Sequence, residues 1–320
     1  MAVDVERAEG QGTTLRAAIG ASSRSDLVVI CVVFVFYAVA TLALAFSWPG
    51  RKVGIQMEIG GFGMTILYLT CLWHSVKVRG GRQTLAFFAL AAAICLFAEI
   101  MGDNYGWFFG SYEYTETLGP RIAGVPVLIV AIWGVPLYCA FMMVGWFLGL
   151  GGRRWSATWY GHVAWSALVA FSSAMIVCAW DLIADPFCVS GLWMQVNGVK
   201  PFWWWDGGDY LPGLLVWKGS GGIPITNFIG WTFVPFTILF LFCLLFRRPD
   251  RVSGKLVNIV PWLIYGYMYY TFIWGLLEMS WLDPGMVQPA LIGTFTMGPV
   301  IVLGLVKVVR DYTRVLPPRA

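Results

Sequence analysis

A chain of 320 residues in which 59% are apolar and only 12% charged cannot cover itself with a water-facing surface, which excludes a soluble globule and leaves a polytopic membrane protein. The formal charge of +4 reflects where loop bases fall and implies no nucleic-acid partner.

Apolar runs of about 20 residues, enough to cross a bilayer, start near Leu27, Val53, Thr84, Ala123, His162, Ile223, Val257 and Val287. They predict an all-α transmembrane bundle of about eight helices with two long aromatic loops. Residues 1–26, polar and small, read as a mobile cytoplasmic tail, 27–308 as a single transmembrane catalytic domain, and 309–320 as a second cytoplasmic tail. Ala43-Leu44-Ala45 imitates a signal-peptidase site, but the run is longer than a signal core and more helices follow, so helix one reads as an uncleaved span. With eight spans, sixteen of the 21 Lys and Arg fall on the side of the termini and five on the other. Positive charge stays inside, so the expectation is a bacterial inner-membrane protein with both termini cytoplasmic and the aromatic loops facing outward.

The cysteines show no metal or disulfide spacing, six of the seven lying inside expected spans. His74 and His162 map to cytoplasmic helix ends; a haem bridging them would need facing helices at one depth, and nothing else in the chain supports it.

One plan occurs twice. Phe97 to Trp133 runs from a helix ending in acids, through an aromatic loop, to Gly124-Val125-Pro126 and a new apolar run; Asp181 and Asp185 precede a second aromatic loop and Gly222-Ile223-Pro224. Trp133 and Trp231 follow their glycines at the same spacing. Pro126 and Pro224 suit helix first turns, and Gly124 and Gly222 suit the turns before them. A third helix end, WGLLEMSWLDP with Glu278 and Asp283, resembles WDLIADP around Asp181 and Asp185, so the three ends read as walls of one site.

An acid within a span costs about 2.5 to 3.5 kcal/mol even on a lenient insertion scale, which makes Glu58, Glu99, Asp181 and Glu278 informative. Asn227 lies at similar depth. Asp103, Asp185 and Asp283 come a turn or so later, roughly 6 Å further out, giving a deep and a shallow layer of acids. The bland reading is that these acids cap helix ends or pair with bases, but the outward loops offer only Arg51, Lys52, Arg121, Lys200 and Lys218. Burial and the negative end of the helix dipole both favour the protonated carboxyl, the form a general acid requires. The deep acids Glu99 and Asp181 are the leading proton-donor candidates, with Glu278 third. Asp185 and Asn227 are candidates for holding water, and Glu58, Asp103, Tyr112, Tyr114, Trp133 and Trp231 for lining the substrate.

Aromatics crowd both outward loops: Tyr105, Trp107, Phe108, Phe109, Tyr112 and Tyr114, then Phe202 to Trp205, Tyr210 and Trp217. Each alone suits an interfacial anchor. Together, beside acids, their faces suit a carbocation formed by protonating an alkene. No phosphate-cradling glycine loop or metal constellation is expected, and therefore no cofactor.

The segments FFGSYEYTETLGPRIAGVPVLIVAIW and GIPITNFIGW, with Asp185-Pro186, resemble the integral-membrane carotenoid biosynthesis proteins of the CruF type, the carotenoid 1,2-hydratases. The resemblance spans roughly Glu99 to Trp231. It implies cofactor-free addition of water to the terminal double bond of an acyclic or monocyclic carotenoid, with other carotenoid-pathway enzymes as possible partners in the lipid bilayer. Asn197 to Gly221 is longer than the usual link and adds Trp203-Trp204-Trp205, which leaves open another polyene or another fate of the cation, such as ring closure by a cyclase. A prenyltransferase reading of Asp181 and Asp185 as a magnesium-binding DxxxD lacks its partner motif, and a proton-coupled carrier is the non-enzyme alternative.

Overall fold

The structure, a computed structural model, describes residues 22–46, 49–149, 158–216, 219–246 and 256–313. Helices stand at every expected position: α1 Arg24–Phe46, α2 Pro49–Arg79, α3 Gly81–Tyr105, α4 Val127–Phe147 and α5 Trp159–Val189. After the short α6, Leu192–Asn197, come α7 Ile225–Leu245, α8 Val260–Met279, α9 Val287–Thr296 and α10 Gly298–Thr313. Among the described residues six segments, α3, α4, α5, α7, α8 with its preceding turn, and the α9–α10 pair, are long and apolar enough to cross a membrane. The chain is an all-α, multi-helix membrane bundle.

Three departures from the expected layout have local causes. The last span breaks between α9 and α10, because Pro299 has no N–H to continue the ladder and the Met297 amide closes α9 on the Gly293 carbonyl at 2.9 Å. Helix reaches into both expected tails, beginning at Arg24 and ending at Thr313, while 1–21 and 314–320 lie outside the described residues. The two long loops carry short strands: β1 Tyr112–Tyr114, β2 Arg121–Ile122, β3 Val125–Pro126, β4 Trp203–Trp205, β5 Leu215–Val216 and β6 Gly219–Ser220. β2 and β3 form a hairpin closed by Ala123 and Gly124 at φ 49° and 91°, the paired left-handed conformation of a type I′ turn.

α4 is the axis of the bundle, packed against α2, α3, α5 and α8 and buried at every residue from Trp133 to Val144. Its interior proline, like those of α5 and α7, removes one ladder bond. At Pro186 the Leu182 carbonyl, robbed of its helical partner, accepts instead from the Tyr210 hydroxyl at 2.9 Å, which pins the second loop to α5. Pro126 and Pro224 stand just before their helices rather than within the first turn, with matching φ, ψ of −62°, 134° and −61°, 137°. The repeated plan therefore builds the same helix entry twice.

His74 uses both ring nitrogens within the protein, Nδ1 with the Tyr138 hydroxyl at 2.7 Å and Nε2 with the Val257 carbonyl at 3.0 Å.

Candidate active site

The two aromatic loops meet as a ribbon. β1 pairs antiparallel with β4, placing Tyr112 opposite Trp205, Glu113 opposite Trp204 and Tyr114 opposite Trp203. Side chains alternate across a strand, so Tyr112, Tyr114, Trp203 and Trp205 share one face, and all four line a cavity beneath it. The ribbon is fastened between segments far apart in the sequence: Thr115 N bonds the Phe202 carbonyl at 3.0 Å, Thr117 Oγ1 the Lys200 carbonyl at 3.1 Å, and Trp205 Nε1 the Phe109 carbonyl at 3.0 Å. On its exposed side Lys200 meets Glu116 at 2.6 Å, and that hydrogen bond holds the Glu116 carboxyl below its ordinary range.

Below the roof, α3 supplies Glu99, α4 supplies Ile129, Ile132 and Trp133, α5 supplies Trp180, Asp181, Ala184 and Asp185, and α7 supplies Asn227 and Trp231. The cavity measures about 30 Å³, room on the order of two waters, and no Lys, Arg or His is among its lining residues. Trp133 and Trp231, the matched tryptophans of the repeat, stack face to face with ring centres 3.8 Å apart and planes 1° off parallel. Trp180 meets Trp231 edge-on at 5.7 Å. The two copies of the plan thus join through their strands above and their tryptophans at the centre.

The cavity holds two acid centres with different partners. Glu99, 5% exposed, accepts from Trp133 Nε1 on Oε1 at 2.6 Å and from Tyr114 on Oε2 at 2.6 Å, with Tyr112 also donating to Oε2. An indole N–H can only donate. Burial, with the Glu99 charge second, pushes both phenols well above their ordinary range, so their protons stay available to donate. The second centre is Asp181 and Asp185, each 1% exposed, which share the side-chain amide of Asn227: Nδ2 donates to Asp181 Oδ2 at 3.0 Å and to Asp185 Oδ2. Trp203 Nε1 donates to Asp185 Oδ1 at 3.1 Å. Asp185 is therefore an acceptor at both oxygens, whereas Asn227 engages only Oδ2 of Asp181. Two ionised carboxyls on one amide, out of water and without a cation, would repel strongly.

Of the residues singled out in the sequence, Glu99, Asp181, Asp185, Asn227, Tyr112, Tyr114, Trp133 and Trp231 meet in this cavity. Glu278 does not: its Oε1 accepts from Trp274 one turn back on its own helix at 2.7 Å, so the third helix end is not a wall of the site. Asp283 likewise serves its own turn, capping the Gly285 amide at 2.9 Å. Asp103 lies under the β2–β3 turn, with Oδ2 2.6 Å from where a Cβ on Gly124 would stand, and lines the hairpin rather than the cavity. The Glu58 side chain lies outside the described residues. Gly222 is needed for a reason other than turn geometry: a Cβ there would be 2.3 Å from the carbonyl oxygens of Gly208 and Tyr210. Phe109, Trp180, Trp203 and Trp205 join the walls without having been singled out as site residues. For Trp203 and Trp205 the two-residue spacing, matching that of Tyr112 and Tyr114, carried the signal.

A family model described as carotenoid biosynthesis protein matches residues 54–299. The chain belongs to the carotenoid biosynthesis protein family. This family member is 24% identical to the bisanhydrobacterioruberin hydratase of Haloarcula japonica over 239 residues, covering 73% of this chain and 68% of that one. No solved structure matches it. All the residues that line the cavity of this carotenoid biosynthesis protein fall within the matched span.

Proposed function

We propose that the protein hydrates the terminal double bond of an acyclic carotenoid end, without a cofactor, by protonation to a tertiary carbocation and capture of water. One observation carries the reading: a single aromatic-walled, base-free cavity contains an aspartate pair suited to sharing a proton and a separate glutamate ringed by an indole N–H and two phenol hydroxyls. Similarity to a protein named as a hydratase supports the same direction.

In this mechanism Asp181 gives its proton to the terminal alkene carbon that leaves positive charge on the carbon bearing two methyl groups. A shared proton relieves repulsion within the pair, and its departure to carbon leaves two carboxylates facing the new cation, so the charge lost from the alkene is balanced at once. Glu99, fixed by Trp133, Tyr112 and Tyr114, supplies a standing negative charge, and the faces of Trp133, Trp231 and Trp180 surround the cation without offering a nucleophile. Water held by Asp185 and Asn227 adds to the cation, and its surplus proton returns to the aspartate pair. The net change is one water added across one double bond, with the protein restored. Similarity to a protein named as a hydratase favours this outcome over ring closure.

The orientation follows the charge asymmetry: both termini cytoplasmic, and the ribbon on the outer face of a cell membrane. Mass spectrometry of pigments from cells making acyclic carotenoids, with and without the protein, tests the function. A gain of one water per reacting end supports hydration; an isomer of unchanged mass replaces it with cyclisation; unaltered pigment rejects both.

A further inference from the structure

The reaction proposed above takes an end group joined to a polyene far longer than the cavity, so the remainder of the chain must leave through a gap in the wall. Thirteen of the fifteen lining residues are buried; the two that are not are Tyr114 and Ile132. Ile132 lies on α4, whose exposure changes abruptly along its length. From Trp133 inward the helix is fully covered as far as Val144, whereas Leu128, Ala131 and Ile132 keep part of their surface accessible. Residues three and four apart lie on one helix face, so these three form an apolar strip ending at the cavity wall. The other, Tyr114, belongs to the roof, its hydroxyl tied to Glu99 at 2.6 Å.

We infer that the gap between Ile132 and Tyr114 is the substrate mouth, opening sideways into the hydrocarbon of the membrane, and that the Leu128–Ala131–Ile132 strip seats the first polyene segment of a long carotenoid. The inference rests on the hydration reading for its substrate, but the location of the mouth rests on exposure and continuity with the cavity. A polyene arriving this way never crosses water, and only its terminal isoprenoid unit reaches the acids. Tyr114 then reports the presence of substrate to Glu99, since the ring that flanks the mouth also holds the carboxylate.

The test compares two substrates, a full-length acyclic carotenoid and a truncated isoprenoid carrying the same terminal alkene, in wild type and in Ile132→Trp and Leu128→Trp. A bulky ring in the mouth should raise KM for the full-length substrate and lower the ratio of its kcat/KM to that of the truncated one by about tenfold or more, a change of roughly 1.4 kcal/mol. Ile132→Ala, which widens the gap without adding bulk, should shift the ratio the other way. An unchanged ratio in folded variants overturns the mouth. Failure of wild type to hydrate either substrate overturns the hydration reading instead, so the two failures are distinguishable.

Discussion

Replacing Glu99 by glutamine asks whether that carboxyl acts as a fixed counter-charge. The exchange keeps the shape of the side chain and removes its charge, and the hydrogen bonds dictate how the amide sits. Trp133 Nε1 is a donor only and approaches at 2.6 Å, so the glutamine oxygen must face it and the NH₂ must face Tyr112 and Tyr114. Those hydroxyls can accept, but each then needs a new acceptor for its own proton in a buried setting. The expected loss of stability is about 1 to 3 kcal/mol, the range for stranding a buried polar group. The kinetic effect is separate. A charge about 5 Å from a cation at an effective dielectric near 20 contributes about 3 kcal/mol, which is roughly two powers of ten in rate. The assay is turnover of an acyclic carotenoid by purified protein in detergent, beside a thermal unfolding curve on the same sample. A melting point lowered by several degrees with the rate unchanged would refute the counter-charge and leave Glu99 a structural acceptor.

Asp181→Asn should lower the rate by about two to four powers of ten while the protein stays folded, because the asparagine can turn its oxygen to Asn227; turnover near wild type would remove Asp181 as proton donor. Asp185→Asn should leave protonation running and divert product from the alcohol toward dehydrated or cyclised isomers, and an unaltered product ratio, read by chromatography, would contradict its role in holding water. Gly102→Ala places a Cβ 2.9 Å from the Tyr112 ring and hydroxyl; displacing that tyrosine should cost about 1 to 3 kcal/mol of stability and also lower turnover, and a silent substitution would show that Tyr112 can shift freely. Chelation should not alter the rate, whereas loss in EDTA with recovery on adding magnesium would revive the prenyltransferase reading of Asp181 and Asp185.

The bundle was legible in the sequence because membrane spans announce themselves by length and apolarity, and the site because buried acids are costly enough to be rare. The repeated Gly-x-Pro entry and its tryptophan could be matched by spacing alone, and the match proved physical: Trp133 and Trp231 stack on each other. Glu278 misled because local text repeats without its setting. WGLLEMSWLDP resembles WDLIADP, yet whether an acid points inward depends on the helix's rotation within the bundle, and Glu278 turns to Trp274. The pairing of β1 with β4 was not legible, since nothing local links Tyr114 to Trp203 and the register exists only once the helices bring the loops together. Trp180 was hidden for another reason: one tryptophan inside a span reads as packing, and only its contact with Trp231 makes it a wall.

The central claim is that this cavity adds water to a protonated alkene, and isotope transfer tests it most directly. Purified protein, an acyclic carotenoid and water labelled with heavy oxygen and deuterium, without metal or nucleotide, should give a tertiary alcohol. Each reacted end should carry one heavy oxygen, with one carbon-bound deuterium on the neighbouring carbon. Deuterium without heavy oxygen would mean that the cation forms and is not captured by water; the absence of both labels from the carotenoid would contradict the account.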